Sequence, residues 1–303
     1  MISAPALSHF PNVETHLLQS VHVAQTFKIQ VVRPMQRRAE TRRFPVVYVT
    51  DGNAVFDLFK GMAWLLQAYK LDILPFILVM IGYPSESPVA GEVLRGRDLT
   101  FPGCPDWLSG FQMPWEGVLT PESGTRTFGG AEDFQKFICE ELIPFVDVRY
   151  ETEKEARVYF GHSVGGAFGL FTLFTQTRLF QKYVISSPAL AYHGTTMLGV
   201  RHERLDFLFE RARQYIAAGK PMDDVHLYMS VGTQEEFEPL IASWQFTSNF
   251  YRMAALLRTA GIPGLTLTTE VFSGEGHATV WPVAFMHGMQ AVLGASERQF
   301  RGG

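Results

Sequence analysis

Ser163 stands in Gly161-His162-Ser163-Val164-Gly165-Gly166, behind a β-branched and aromatic run (Val158, Tyr159, Phe160) and ahead of a helical apolar pattern through Ala167, Leu170, Phe171 and Phe174. A serine at G-x-S-x-G spacing, with a strand before it and a helix after it, reads as a nucleophile elbow. The glycines let strand and helix pass closely while the serine takes a strained backbone conformation. Its hydroxyl then projects from the carboxyl edge of a sheet, toward the amides of the new helix. The chemistry implied is nucleophilic attack on a carbonyl carbon, with a covalent acyl-serine. A bare match of this kind arises by chance in many chains. Here the flanking strand and helix supply the context that makes it specific.

A serine hydroxyl needs a base to take its proton, and the base needs an acid to orient it. On a strand–elbow–helix scaffold the chain order is serine, acid, histidine. Of nine histidines, only His277, His287 and His226 lie downstream in usable places. His226 opens a predicted strand and His287 falls inside the last predicted helix. His277, in Ser273-Gly274-Glu275-Gly276-His277, occupies a glycine-rich loop after the last strand and is the candidate base. The acid belongs on the loop Val231-Gly232-Thr233-Gln234-Glu235-Glu236-Phe237-Glu238. Glu235 is preferred there. Glu236 and Glu238 stay open as alternatives, with Asp223 and Asp224 behind them, because carboxylates also collect at solvated helix N-termini. An oxyanion hole needs two backbone amides. Val164 supplies one by position, and Asn53 of Asp51-Gly52-Asn53 is the candidate for the other, although Asp-Gly also marks an ordinary tight turn.

The elements that must hold these groups alternate between strand and helix, the signature of a mostly parallel sheet with helices on both faces. Strands are predicted at 45–50, 76–82, 157–160, 183–186, 226–230 and 265–272, after an alternating strand or hairpin at 20–33. Helices are predicted at 54–69, 131–148 (kinked or ended by Pro144), 201–218, 248–260 and 282–293. Residues 83–130 break the rhythm, being rich in Gly, Pro, Ser and Trp, and read as a lid-like insertion within one domain spanning 1–303. Phe101, Trp107, Phe111, Trp115 and Tyr192 in or near it fit either a bulky substrate group or a satellite core under a long loop.

The 303 residues are 47% hydrophobic and carry a net charge of −4, enough for a sizeable core and without a basic stripe for nucleic acid. Cys104 and Cys139 fit no metal spacing and no disulfide framework, so reduced thiols and a cytoplasmic location are expected. The N-terminal residues lack the basic and apolar regions of a secretory signal, and the run from Ile73 to Tyr83 is too short to span a bilayer. The expected partner is a small-molecule ester, with no cofactor, no metal, no nucleic acid and no membrane, and with the oligomeric state open.

The segments Val47-Tyr48-Val49-Thr50-Asp51-Gly52-Asn53, Arg97-Asp98-Leu99-Thr100, Gly129-Gly130-Ala131-Glu132-Asp133-Phe134, Gly161 to Gly166, Ser186-Ser187-Pro188-Ala189-Leu190, Gly232-Thr233-Gln234-Glu235 and Gly276-His277 run in order over about residues 20–293. In them the chain resembles the putative esterase family of α/β-hydrolases. That family holds enterobactin-type siderophore esterases, feruloyl esterases, S-formylglutathione hydrolases and mycolyltransferase antigens. Arg97 to Thr100 and Ser187 to Leu190 are most similar to the siderophore-esterase branch. The resemblance implies an α/β-hydrolase fold, serine ester hydrolysis on a siderophore-like or other bulky ester or lactone, and Ser163, His277 and an acid near Glu235 as the catalytic set. It also implies oxyanion amides from the Asp51-Gly52-Asn53 segment. Arg97 and Tyr192 are the candidate substrate-binding residues. The alternatives are an acyltransferase on the same scaffold, a feruloyl or S-formylglutathione-type (thio)esterase, or a binding protein on an inactive scaffold.

Overall fold

Runs such as 77–82 and 225–232 are apolar at odd and even positions alike, which suits strands covered on both faces. The computed structural model, which describes residues 12–34, 43–69, 73–85, 88–101, 129–176, 178–195, 201–239 and 241–294, arranges them so. An antiparallel hairpin of β1 (Val13–Gln19) and β2 (Thr26–Val32) leads into β3 (Phe44–Val49), β4 (Ile77–Gly82), β5 (Thr152–His162) and β6 (Lys182–Ser186). β7 (Tyr192–Thr195) and β8 (Arg201–Leu205) pair antiparallel as a separate ribbon. β9 (Val225–Gly232) and β10 (Leu265–Phe272) complete an eight-stranded sheet of order β1-β2-β4-β3-β5-β6-β9-β10, parallel from β4 onward.

The helices are α1 (Gly52–Tyr69), α2 (Pro88–Asp98), α3 (Ala131–Lys136), α4 (Ile143–Arg149), α5 (Val164–Thr175), α6 (Phe207–Ala217), α7 (Phe246–Ala260) and α8 (Val280–Leu293). Strand periodicity divides the core in two. Val47 and Val49 of β3 face α1 and α8, whereas Val46 and Tyr48 face the layer built from α3 to α7. On the first side Phe59 stacks on Phe285, with ring centroids 4.1 Å apart, and meets Phe160 edge-on at 5.1 Å. This is an α/β-hydrolase fold.

Four expectations change in the structure. The N-terminal hairpin begins at Val13 and turns over 20–25, so 20–33 holds only its second strand. The region 201–218 is not one helix: Arg201–Leu205 pairs with β7, and the helix starts at Phe207. Strand pairing there overrides a helical spacing that is carried mainly by Leu208, Phe209, Ala212 and Tyr215, all buried. Of the kink or end expected at Pro144, the end is excluded. Pro144 has no N–H to donate one turn back, and a π-helical stretch, Phe137–Leu142, precedes it before α4 continues to Arg149.

The insertion also begins with an ordered element, α2, where the composition suggested none. Its neck is pinned. Thr100 Oγ1 donates to the Gly96 carbonyl (2.7 Å) and accepts from Gly129 N (2.8 Å), while the Ala131 amide reaches the Thr100 carbonyl (2.9 Å) and the Gly130 amide the Arg97 carbonyl (2.9 Å). Phe101 stacks on Phe171 at 5.1 Å and is buried, so this aromatic belongs to the core. Trp107, Phe111 and Trp115, with the rest of 102–128 and Cys104, lie outside the described residues.

Truncating Phe59, fully buried between Phe285 and Phe160, removes a large ring from the α1–α8 layer. Phe59→Ala is expected to cost about 3–5 kcal/mol. Urea unfolding followed by circular dichroism checks it, and a loss below about 1 kcal/mol would show that the layer closes over the gap.

Candidate active site

The register of the sheet decides which loops meet. His162 of β5 pairs with Ser186 of β6, which pairs with Ser230 of β9, and Gly232 of β9 pairs with Phe272 of β10. Four strand ends therefore lie nearly level, and the residues just beyond them become neighbours: Ser163, Ser187, Glu235 and His277.

Ser163 caps α5 at φ 59° and ψ −118°. That left-handed geometry is rare for a residue with a Cβ and costs roughly 1–3 kcal/mol. The backbone around it is held on every side. Ser163 N donates to the Ser186 carbonyl (3.0 Å), and the Ser163 carbonyl accepts from Ala167 N and Ala189 N (each 3.0 Å). A Cβ on Gly161 would fall against the Gly165 carbonyl, and one on Gly165 would lie 2.6 Å from Thr50 Oγ1. Both glycines are steric requirements of the turn.

Three glutamates crowd the loop after β9, and each has a separate task. Glu235, fully buried at the start of a 3₁₀ turn, accepts from Ser187 Oγ (2.6 Å) and Gly232 N (2.6 Å) on Oε1, and faces His277 Nδ1 from Oε2 (2.6 Å). Three donors around one buried carboxylate offset its desolvation. Glu236 Oε1 accepts from Ser248 N (2.7 Å) in the first turn of α7, a helix-terminus contact. Glu238 Oε1 accepts from His277 N (2.8 Å) and so holds the backbone of that loop. His226 bonds Thr268 Oγ1 and His287 bonds Glu270, so neither shares the Glu235 carboxylate with His277. Asp223 pairs with Arg178 on the surface.

Val164 opens α5, and Asn53 lies in the first turn of α1, where amides have no acceptor within the helix. The Asn53 side chain is used otherwise: it accepts from Tyr83 N (2.6 Å) and donates to the Tyr83 carbonyl (2.8 Å), fixing the end of β4 to the start of α1. Arg97 grips its neighbour Asp98 with two bonds (2.6 and 3.0 Å), and Tyr83 OH donates to the same carboxylate (3.0 Å). Burial pushes the Asp98 carboxyl up, against the opposing pull of Arg97 and Tyr83, and burial followed by Asp98 pushes the Tyr83 phenol well up. The Arg97 charge is thus met within the protein. Tyr192 opens β7, and its side chain lies outside the described residues.

The motif pattern passed over several neighbours. His162 is buried, with Nδ1 3.0 Å from Ser186 Oγ and its ring stacked on Trp281 at 4.5 Å. Burial, and after it the charges of His277 and Arg95, lowers its pKa far below 6.5, so the ring is neutral. Arg95 pairs with Asp51, tying α2 to the turn that follows β3. Ser187 could have been found in sequence, because it follows β6 as Ser163 follows β5. Among the described residues no group of His, Cys, Asp and Glu is arranged to hold a metal, and no helix is long and apolar enough to cross a membrane.

Comparison with known proteins gives a family model described as Putative esterase, matching residues 111–292. Ferri-bacillibactin esterase BesA of Bacillus subtilis is 27% identical over 286 residues, covering 93% of this chain and 90% of its own. The siderophore triacetylfusarinine C esterase of Aspergillus fumigatus is 26% identical over 300 residues, covering 92% of each chain. Among solved structures, siderophore hydrolase EstB of Aspergillus nidulans superposes with a TM-score of 0.74 at 25% identity, over 96% of this chain and 98% of that one.

Burial of a neutral His162 also sets a pH dependence. Its folded pKa lies below the unfolded value of 6.5, so the unfolded chain takes up the proton first as pH falls. Stability is then full above that value and declines below it, by at most about 1.4 kcal/mol per pH unit from this group. His162→Asn is expected to flatten the acid limb of a stability–pH curve measured by urea unfolding between pH 7 and 5. An unchanged limb would mean that the ring titrates as freely in the folded protein as in the unfolded chain.

Proposed function

Because the chain belongs to the putative esterase family and is a serine esterase, we propose that it works through a Ser163–His277–Glu235 triad on a siderophore-like or other bulky ester or lactone. The observation that carries this reading is the buried Glu235 carboxylate, 2.6 Å from His277 Nδ1. It fixes the imidazole with Nε2 turned away from the acid. In the reaction Nε2 takes the Ser163 Oγ proton as the oxygen bonds to the ester carbonyl carbon. The carbonyl oxygen becomes an oxyanion, received by the amides of Val164 and Asn53. The tetrahedral intermediate collapses, the alkoxy leaving group departs with the proton from Nε2, and an acyl-Ser163 remains. Water, deprotonated by the same nitrogen, then releases the acid and restores Ser163.

Glu235 does not take the proton. It holds the tautomer with the proton on Nδ1 and stabilises the imidazolium that forms. The siderophore-like substrate class rests on relatives named for siderophore esters that align over more than nine-tenths of this chain. Arg97 and Tyr192 are its candidate contacts, and the Arg97–Asp98 pairing makes Arg97 a weaker anion receptor than a free guanidinium. A small-molecule ester remains the partner and one domain the organisation of the chain.

Ser163→Ala and His277→Ala are each expected to abolish hydrolysis of p-nitrophenyl esters, and Ser163→Ala also to abolish covalent labelling by a fluorophosphonate probe. Glu235→Gln is expected to leave a folded enzyme with activity lowered by roughly 10²–10⁴-fold. Glu236→Gln and Glu238→Gln keep an acceptor oxygen and are expected within a few-fold of the parent. Retained activity in Ser163→Ala, with the probe on another serine, overturns the mechanism. A panel of a siderophore lactone, a feruloyl ester, S-formylglutathione and short-chain esters, with and without added alcohol, ranks the substrate classes and reveals any acyl transfer.

A further inference from the structure

The His277 imidazole has company on almost every side. Nδ1 meets Glu235, and the backbone amide meets Glu238. Phe246 lies against the ring with centroids 4.4 Å apart and planes inclined by 34°, and His162 lies at 4.4 Å and 43°. His162 and Phe246 make no ring contact with each other, so they approach the imidazole from different sides. Each is itself backed by a further aromatic. Phe246, 3% exposed, stacks on Trp244 at 6.0 Å and 17°, and Trp244 is 5% exposed. His162, 3% exposed, stacks on Trp281 at 4.5 Å and 20°. Five rings run in a ladder, Trp244–Phe246–His277–His162–Trp281, with the candidate base in the middle.

Such a ladder acts on the one freedom that the acid leaves. A hydrogen bond at Nδ1 fixes a point on the ring, yet the sp³–sp² torsion of a histidine is broad and the ring can still swing about that point. Flat neighbours on two sides remove the swing. Their chemistry also suits a base that gains and loses a charge. Phe246 offers a ring face to the imidazolium. His162 bonds Ser186 Oγ through Nδ1, and being neutral it does not repel the charged state.

We propose that Phe246 and His162 are positioning residues that clamp the His277 imidazole, leaving its Nε2 edge as the only one open toward Ser163. The clamp rests on the reading of Ser163, His277 and Glu235 as the triad. It acts in the proton-transfer steps, so its loss lowers kcat and leaves ester binding alone.

The test uses Phe246→Leu, which keeps apolar bulk without a flat face, and Phe246→Tyr, which restores the ring. Phe246→Leu is expected to lower kcat on a short p-nitrophenyl ester roughly ten- to hundredfold, as small misplacements of a reacting group do, with KM within about twofold. The far-downfield proton NMR signal of the His277 Nδ1–H is expected to be sharp in the parent and in Phe246→Tyr, and broadened in Phe246→Leu. Parental kcat and a sharp signal in Phe246→Leu, alongside an inactive His277→Ala, overturn the clamp and leave the triad standing. Activity in His277→Ala overturns the triad itself. A fall in kcat that Phe246→Tyr does not rescue also overturns the clamp. If Phe246→Leu does not fold, His162→Asn carries the same expectation: lowered kcat, unchanged KM and a broadened signal, with parental values for all three overturning the proposal.

Discussion

Strand β5 and helix α5 come so close together that their backbones leave no room for a side chain between them, and this crowding governs the site. A Cβ on Gly161 would meet the Gly165 carbonyl and lie 2.7 Å from the Tyr159 hydroxyl. That hydroxyl spans the gap, donating to the Gly165 carbonyl at 2.7 Å from a fully buried position. Thr50 at the end of β3 completes the chain with a contact of 3.3 Å to Tyr159. The left-handed backbone at Ser163 is thus fixed by hydrogen bonds to β6, α5 and the loop after β6, whose combined contribution is of the same order as the strain. Loosen the glycines and the serine would relax into the helix or the strand.

The second determinant is level strand ends. Because β5, β6, β9 and β10 terminate within two residues of one another, short loops suffice to bring a serine, a carboxylate and an imidazole to one edge of the sheet. Short loops over a rigid sheet carry little conformational entropy, so the Glu235–His277 pair is held with little ordering cost. The glutamates show how finely the loop after β9 is used. Three carboxylates within four positions bind an imidazole, a helix terminus and a loop amide, with no two on the same group.

Much of this was legible in the chain. The parallel strands are continuous apolar runs bounded by turns, and the serine motif carries its own structural context, so both survive without tertiary information. Distance from Gly232 favours Glu235 over Glu236 and Glu238 only weakly; the folded loop separates their contacts. The ladder around His277 was invisible because its members come from four separate stretches, near 162, 244–246, 277 and 281, which meet only after the sheet has formed. The spacing over β8 suits a helix because propensity cannot register a partner strand, here β7, found elsewhere in the chain. The π stretch before Pro144 was hidden for a related reason. A proline reports that a bond is missing, not how neighbouring residues redistribute the loss.

The pinned neck at Thr100 and Gly129 has an evolutionary consequence. One threonine hydroxyl and three backbone amides bring the ends of the insertion together, independently of what lies between them. The cost of closing a loop grows only slowly with its length, by about 0.6 kcal/mol per doubling. Segment 102–128 can therefore lengthen, shorten or be exchanged wholesale while the sheet beneath it keeps its register and the serine its strained turn. The sheet and the serine turn are then free to be inherited unchanged, held by a few glycines and strand ends, because the junction at Arg97, Thr100 and Gly129 to Ala131 closes on its own bonds.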